Sequence, residues 1–150
     1  MLTIPLTKHG GRMALVSWNS SFEIGIEHID NQHKRIVELL NKLQETLNQG
    51  VVGRELGEVL AGLVDYTRTH FADEEEFMRK IEFPEYDHHK KLHDRLTEQV
   101  VAILVKLKKG GNVNVRELMS FLKRWLIEHI VREDKKIALS KNVKITAPVQ

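Results

Sequence analysis

Apolar residues recur along this chain in alternating steps of three and four, the spacing that keeps side chains on one helical face. One stripe is Ile29, His33, Ile36, Leu40, Leu43 and Leu47; a second is Leu56, Leu60, Leu63, Thr67, His70, Glu74, Phe77 and Ile81. A third is His89, His93, Leu96, Val100, Ile103 and Leu107; a fourth is Val115, Leu118, Leu122, Trp125 and His129. The pattern predicts four long helices, over about Asp30–Asn48, Arg54–Lys80, Pro84–Lys109 and Asn114–Leu139. Asp30 and Asn114 are natural N-caps, Gly50 and Gly110-Gly111 are stops, and Pro84 bars continuation of the second helix through Phe83. Residues 1–17 read as an irregular arm and Trp18 to Ile29 as loop-like or extended around Gly25, while Lys141–Gln150 reads as a tail. Short links between long helices favour an all-α fold, an antiparallel up-down-up-down four-helix bundle with an extended N-terminal arm.

The stripes carry an anomaly. His33, His70, Glu74, His89, His93 and His129 occupy positions that their neighbours mark as core, and Asp134 follows close behind. A lone histidine on such a stripe is ordinarily a hydrogen-bonded core residue. Five of them with an acid are harder to absorb, because each buried polar group without a partner costs roughly 1–3 kcal/mol. That would consume much of a typical domain stability of about 5–15 kcal/mol. A bound metal removes the penalty, since imidazole nitrogen and carboxylate oxygen coordinate it in place of water. The pairs His70/Glu74 and His89/His93 are four residues apart, so both members of each pair face one way. His129 and Asp134 are five apart, which turns them about 140° from each other on a regular helix. Spacing alone would choose Glu133; Asp134 converges only if the helix carries a π-type turn.

Composition bounds the function. With 150 residues there is room for one domain, with its core over about 13–140 and with 1–12 and 141–150 peripheral. A formal net charge of +2, evenly spread, gives no reason to expect nucleic acid or an anionic membrane as partner. The chain has no cysteine, which excludes disulfides, thiolate ligands and thiol nucleophiles and suits a reducing compartment. No run of about 18 apolar residues and no signal-peptide pattern is present, so a cytoplasmic location is expected. No exposed apolar seam is evident, which favours a monomer.

Four segments, in order, resemble the hemerythrins, and among them the bacterial branch. They are Trp18…Gly25-Ile26…Ile29-Asp30-Asn31-Gln32-His33-Lys34, His70-Phe71-Ala72-Asp73-Glu74-Glu75, His89-Lys90-Lys91-Leu92-His93 and Trp125-Leu126-Ile127-Glu128-His129-Ile130…Asp134. The resemblance spans about residues 13–140, and Met13-Ala14-Leu15 looks like the family's start. It implies a non-haem pair of iron ions with an oxo or hydroxo bridge. His89, His93 and His129 would bind one iron, His33 and His70 the other, and Glu74 and Asp134 both. It is the resemblance, not the spacing, that selects Asp134 over Glu133 and iron over copper or zinc, which imidazole-rich sites also hold well. On this count the second iron has one protein donor fewer, leaving a position where a small molecule can bind.

The function implied is reversible dioxygen binding, as a carrier, storage or delivery protein whose recipient would be an oxygen-consuming enzyme. The alternatives are an oxygen or redox sensor and a di-iron oxidase or nitric oxide-handling enzyme. A carrier is preferred: no signalling region is evident, and ferritin-like oxidases carry two Glu-x-x-His motifs, whereas Glu85-Tyr86-Asp87-His88 stands alone and off the stripe. The core also offers no obvious spare acid or base, so no enzymatic activity is expected. Ile36, Leu40, Phe71, Leu126 and Ile127 are candidates to line a dioxygen pocket, with Ile127 the first choice. His88, about 100° around the helix from His89, is expected to be exposed. His9 and His28 lie outside the stripes, Glu75 and Glu76 read as a solvated face, and Lys106, Lys108 and Lys109 suit a helix C-terminus. Trp18 is expected to cover a bundle end.

Overall fold

The structure, a computed structural model, describes residues 15–140 in full, together with the backbone of residues 8–9, 12–13 and 141–146. Helices α1 (Glu27–Asn48), α2 (Gly53–Lys80) and α3 (Tyr86–Lys108) are followed by α4 (Val115–Glu128), a π-helical segment (His129–Asp134) and α5 (Lys135–Thr146), which continue one another as a fourth rod. The expected four-helix bundle is present. In it α1 packs against α2 and α4, and α2 against α3. Before the bundle, β1 (Lys8–His9) and β2 (Arg12–Met13) pair antiparallel, and Ser20–Phe22 forms a single 3₁₀ turn. None of the described helices is long and apolar enough to cross a membrane.

The helix ends follow from local chemistry. Asn114 is the expected N-cap of α4, its side-chain oxygen accepting the Glu117 N–H at 3.1 Å. Gly50 and Gly110 follow α1 and α3 with φ of +81° and +77°, a left-handed backbone that suits glycine at a helix exit. Asp30 is different from expectation. Helix α1 starts three residues earlier, at Glu27, with Ile26 at the N-cap position and no side-chain cap. The Asp30 carboxylate turns back and accepts the N–H groups of Ile24 at 2.8 Å and Gly25 at 3.1 Å. The same acceptor chemistry thus fixes the loop entering the helix rather than the first helical turn. The fourth rod also outlasts its expected end at Leu139, its backbone remaining helical to Thr146, so the first six residues of the expected tail are helical; residues 147–150, with Pro148, lie outside the described residues.

The arm is fastened to the bundle by Asn41. Its side chain accepts the Val16 N–H at 2.9 Å and donates to the Val16 carbonyl at 2.7 Å, imitating one rung of a sheet. Trp18 stacks on Phe22 with ring centroids 5.3 Å apart, and the Lys34 ammonium lies 5.6 Å from its ring. Trp18 therefore lies against a flank of the bundle rather than over its end, where it was expected.

Buried apolar side chains form two separate clusters. The larger holds Ile36, Leu40 and Leu43 of α1, Leu56, Leu60 and Leu63 of α2, Leu96 and Val100 of α3 and Leu118, Leu122 and Leu126 of α4. The smaller is a plug of Ile24, Ile26, Ile29, Met78, Phe83, Ile137 and Ala138. Along every rod the histidines and acids of the stripes fall between members of the two clusters: His33 between Ile29 and Ile36, His129 between Leu126 and Ile137. A polar layer is thus sealed above and below by hydrocarbon.

Replacing Asp30 by alanine leaves two backbone N–H groups without their acceptor, and should cost about 1–3 kcal/mol of folding free energy. Denaturant unfolding measures this; an unchanged midpoint and slope would show that the loop finds other partners at no cost.

Candidate metal centre

Each rod delivers donors to one level. His33 comes from α1, His70 and Glu74 from consecutive turns of α2, His89 and His93 from consecutive turns of α3, and His129 and Asp134 from the fourth rod. All seven are buried, none more than 4% exposed. The π-helical segment is what admits Asp134. Its i→i+5 hydrogen bonding widens the turn, so that residues five apart stack over one another. Asp134 Oδ1 lies 3.0 Å from His129 Nε2, while Glu133 points outward to Lys136 at 3.4 Å.

The donors fall into two overlapping groups. Glu74, His89, His93, His129 and Asp134 form one, and His33, His70, Glu74 and Asp134 the other; within each, one ligand atom per residue lies within 4.8 Å of every other. Both acids belong to both groups. Glu74 turns Oε1 to His89 at 2.7 Å and His93 at 3.1 Å, and Oε2 to His70 at 3.2 Å and His33 at 3.7 Å. Asp134 turns Oδ1 to His89 at 3.1 Å and His129, and Oδ2 to His33 at 2.9 Å. One oxygen of each carboxylate therefore faces each group, the disposition of a bridge.

Two observations test whether these residues suit metal ions. Six donors held about 2.1 Å from one ion stand about 3 Å apart along each edge of the octahedron, and the distances above cluster around that edge length. The second is hydrogen bonding. Both ring nitrogens of His33, Nε2 of His70, Oε2 of Glu74 and both oxygens of Asp134 are buried without an aligned hydrogen-bond partner. Close approach without alignment, which all of these atoms except His33 Nδ1 show, is what atoms directed at a common third body produce. The donor set fits.

Electrostatics follow from crowding five imidazoles on two acids away from water. Burial would pull His33 and His129 down, but Asp134 and Glu74 more than offset it and hold them up at about 9 and about 10. His89 is raised in the same way, whereas burial prevails at His70 and lowers it. Burial would raise Glu74, yet the imidazoles of His129, His33, His70 and His89 keep it well below the usual carboxylate range. Asp134 is likewise held well below that range: burial and the Glu74 charge act against the ionised form, and His129 and His33 outweigh them.

Behind the donors stands a second tier that sequence patterning did not single out. Gln32 Oε1 accepts from His70 Nδ1 at 2.7 Å, and its Nε2 donates to Asp73 Oδ2 at 2.7 Å. Glu75 Oε2 lies 3.2 Å from His93 Nδ1. Reading Glu75 as part of a solvated face is therefore wrong: it is buried, and it is an acid inside the bundle where none was expected beyond the ligands. Burial would raise it, but His93 and Lys90 keep it below its ordinary value. The signal that could have found both is chemical: a ligating imidazole needs an acceptor for its other nitrogen. Glu76 does face solvent, and so do His88 and His28, the latter inside α1 and 3.6 Å from Asp73.

An apolar cavity of about 50 Å³ lies next to this layer, lined in part by Ile36, Leu40, Phe71, Trp125 and Leu126. Ile127, the residue first expected there, is not in its wall; it is half-buried on the flank of the larger cluster, about 100° around the helix from Leu126. Phe71 stacks on His93 with centroids 3.7 Å apart, and Trp125 on His129 at 4.4 Å. The cavity thus stops one aromatic ring short of the donors.

Fold and site together define a four-helix bundle built around a buried cluster of histidines and bridging acids suited to cations. Residues 24–138 match the family model described as the hemerythrin HHE cation binding domain. The chain is 38% identical over 129 residues to a bacteriohemerythrin of Stenotrophomonas maltophilia, covering 84% of this chain and 81% of that one. It is 40% identical over 122 residues to a bacteriohemerythrin of Pseudomonas aeruginosa, covering 81% and 78%. A crystal structure of wild-type hemerythrin aligns with a TM-score of 0.77 at 32% identity, over 85% of this chain and 98% of that one. The chain belongs to the hemerythrin family.

The electrostatics predict how the metal-free protein responds to pH. Groups raised above the unfolded value near 6.5 stabilise the fold fully below that pH and lose their contribution as pH rises through their folded values. For His33 and His129 that window runs from about 6.5 up to about 9 and about 10. His70 acts in the opposite sense below 6.5, and the two acids lose theirs only as pH falls below about 4. Calorimetric midpoints of metal-free protein should therefore fall between pH 6.5 and 10. A flat or rising midpoint there would contradict the ion pairing described.

Proposed function

We propose that this protein binds dioxygen reversibly at a pair of iron ions, serving its carriage, storage or delivery to an oxygen-consuming enzyme. The supporting observation is the two-group donor layer in which each buried carboxylate directs one oxygen to each group. His89, His93 and His129 would hold one ion, His33 and His70 the other, and Glu74 and Asp134 would join them. A pair of ferrous ions held by these residues would supply the two electrons that one dioxygen takes up. The group with two imidazoles offers one protein donor fewer, which would leave room for the small molecule on that side.

The chain's own residues determine what happens next. The two apolar clusters keep bulk water from the layer, which would slow irreversible oxidation of ions held there. Phe71 and Trp125 brace His93 and His129 by stacking, holding those rings at fixed angles. Glu75, a buried acid beside the donors, faces His93 Nδ1, the nitrogen turned away from the layer. It is not placed to exchange a proton with a substrate between the two groups, which supports a binding protein over an oxidase.

Anaerobic loading with ferrous iron followed by air titration tests the proposal. About one dioxygen should be taken up per iron pair, with a visible absorption that disappears when oxygen is removed. Continuous oxygen consumption with reductant present would make the protein an oxidase instead. Glu74→Ala and His129→Ala should each lose most of the bound iron, because each removes a donor from a buried site. His88→Ala, altering an exposed neighbour, should retain it.

The cavity makes a further distinction. Leu126→Ala removes part of its wall and should accelerate oxidation of the oxygenated protein in air, whereas Ile127→Ala should change that rate much less. Equal rates in both variants would detach the cavity from the chemistry.

A further inference from the structure

The two donor groups differ in what stands behind them. His93, in the group with three imidazoles, has a carboxylate at its outer nitrogen; His70, in the other, has an amide. We propose that Glu75 is a positioning residue which, paired against Gln32, makes the two ion sites electronically unequal. The inference rests on the iron-pair reading above.

Donor and acceptor roles are fixed on both sides. A carboxylate at this position only accepts, so Nδ1 of His93 carries the proton and its Nε2 lone pair is turned to the cluster. Gln32 could present either end of its amide, but its Nε2 is committed to Asp73 Oδ2 at 2.7 Å. That leaves Oε1 for His70 Nδ1, and the same tautomer results. Both rings are therefore preset to coordinate through Nε2, but by partners of different charge. A hydrogen bond to an anion is stronger than one to a neutral carbonyl and draws the imidazole further towards imidazolate, making it the more basic ligand.

Glu75 is itself held. Its Oε1 lies 3.5 Å from Lys90 Nζ, and Lys90 is anchored by Asp94 at 3.0 and 3.1 Å. The carboxylate thus has a hydrogen bond inward and a cation outward, and keeps its place at the bundle wall. The consequence is a gradient: the side with the extra imidazole also has an anion directly on one of its rings, whereas Asp73 stands one amide removed from His70. The side with the extra imidazole thus favours the more highly charged ion. The side with two imidazoles, braced by a neutral amide, favours the less charged one.

The test uses the full chain loaded with iron for the reduction potential and with cobalt(II) alone for the ligand-field spectrum and for retention against a chelator. Glu75→Gln keeps an acceptor but removes the charge; it should shift the potential positive and alter the cobalt spectrum while retaining both ions. Glu75→Ala, which removes the acceptor too, should lower retention about 10–100-fold. Gln32→Glu should shift the potential the opposite way. The proposal is overturned if Glu75→Gln and Gln32→Glu both fold, hold two ions and match the wild-type potential. It is also overturned if Glu75→Gln loses ions without any change of potential, because Glu75 would then be a support only. Should Glu75→Gln fail to fold, as judged by circular dichroism, Gln32→Glu decides by the direction of its shift. A wild-type chain that retains neither metal would sink the iron-pair reading itself, a result separate from any of these.

Discussion

Everything in this bundle is arranged around a layer of polar side chains that has no water to dissolve it. Five imidazoles and two carboxylates lie within the described core, closed on one side by the leucine-rich cluster and on the other by the plug around Ile29, Met78 and Ile137. Charges cannot be buried in this way unless they neutralise one another or hold something that does. The metal-free arrangement does part of this, with acids held ionised and two imidazoles held protonated. It still leaves six donor-ring and carboxylate atoms without aligned hydrogen bonds. The strain of that layer and its appetite for cations are one property seen from two sides.

The outer tier explains how a flexible set of side chains is kept in register. Histidine rings are turned by what binds their far nitrogen and by what stacks on their faces. Here Gln32 and Glu75 supply the first and Phe71 and Trp125 the second. These supports come from the same helices as the donors, one residue along in the cases of Gln32, Phe71 and Glu75. Donor and support are therefore adjacent in sequence and face in different directions, which lets one short motif build both.

That adjacency also marks where sequence was readable. Residues on the stripe declared themselves, because a histidine between Ile29 and Ile36, or one turn after Trp125, breaks an apolar rule that its neighbours obey. Gln32 and Glu75 broke no rule, being polar residues where polar residues are ordinary; only three-dimensional packing buries them. Ile127 and Leu126 were indistinguishable for a different reason: both are apolar, and one residue of rotation decides which meets the cavity. Asp30 carried a true signal for capping, but Glu27 could begin α1 without a side-chain cap, so the chemistry was right and its address was not. The apolar stripe of the fourth helix stopped at His129 because the regular period itself stops there.

The π-helical segment has a consequence beyond Asp134. It inserts one residue into the count, so everything downstream is read one step late: Ile137 and Ala138 reach the plug only because of that added step. Donor placement and closure of the layer hang on the same wide turn. Between His129 and Asp134 the chain can accept many side chains at an outward position such as Arg132, but at this length the turn has to stay wide. Straightening that stretch into a regular helix at its present length would rotate an acid out of the centre and an isoleucine out of its lid in a single stroke.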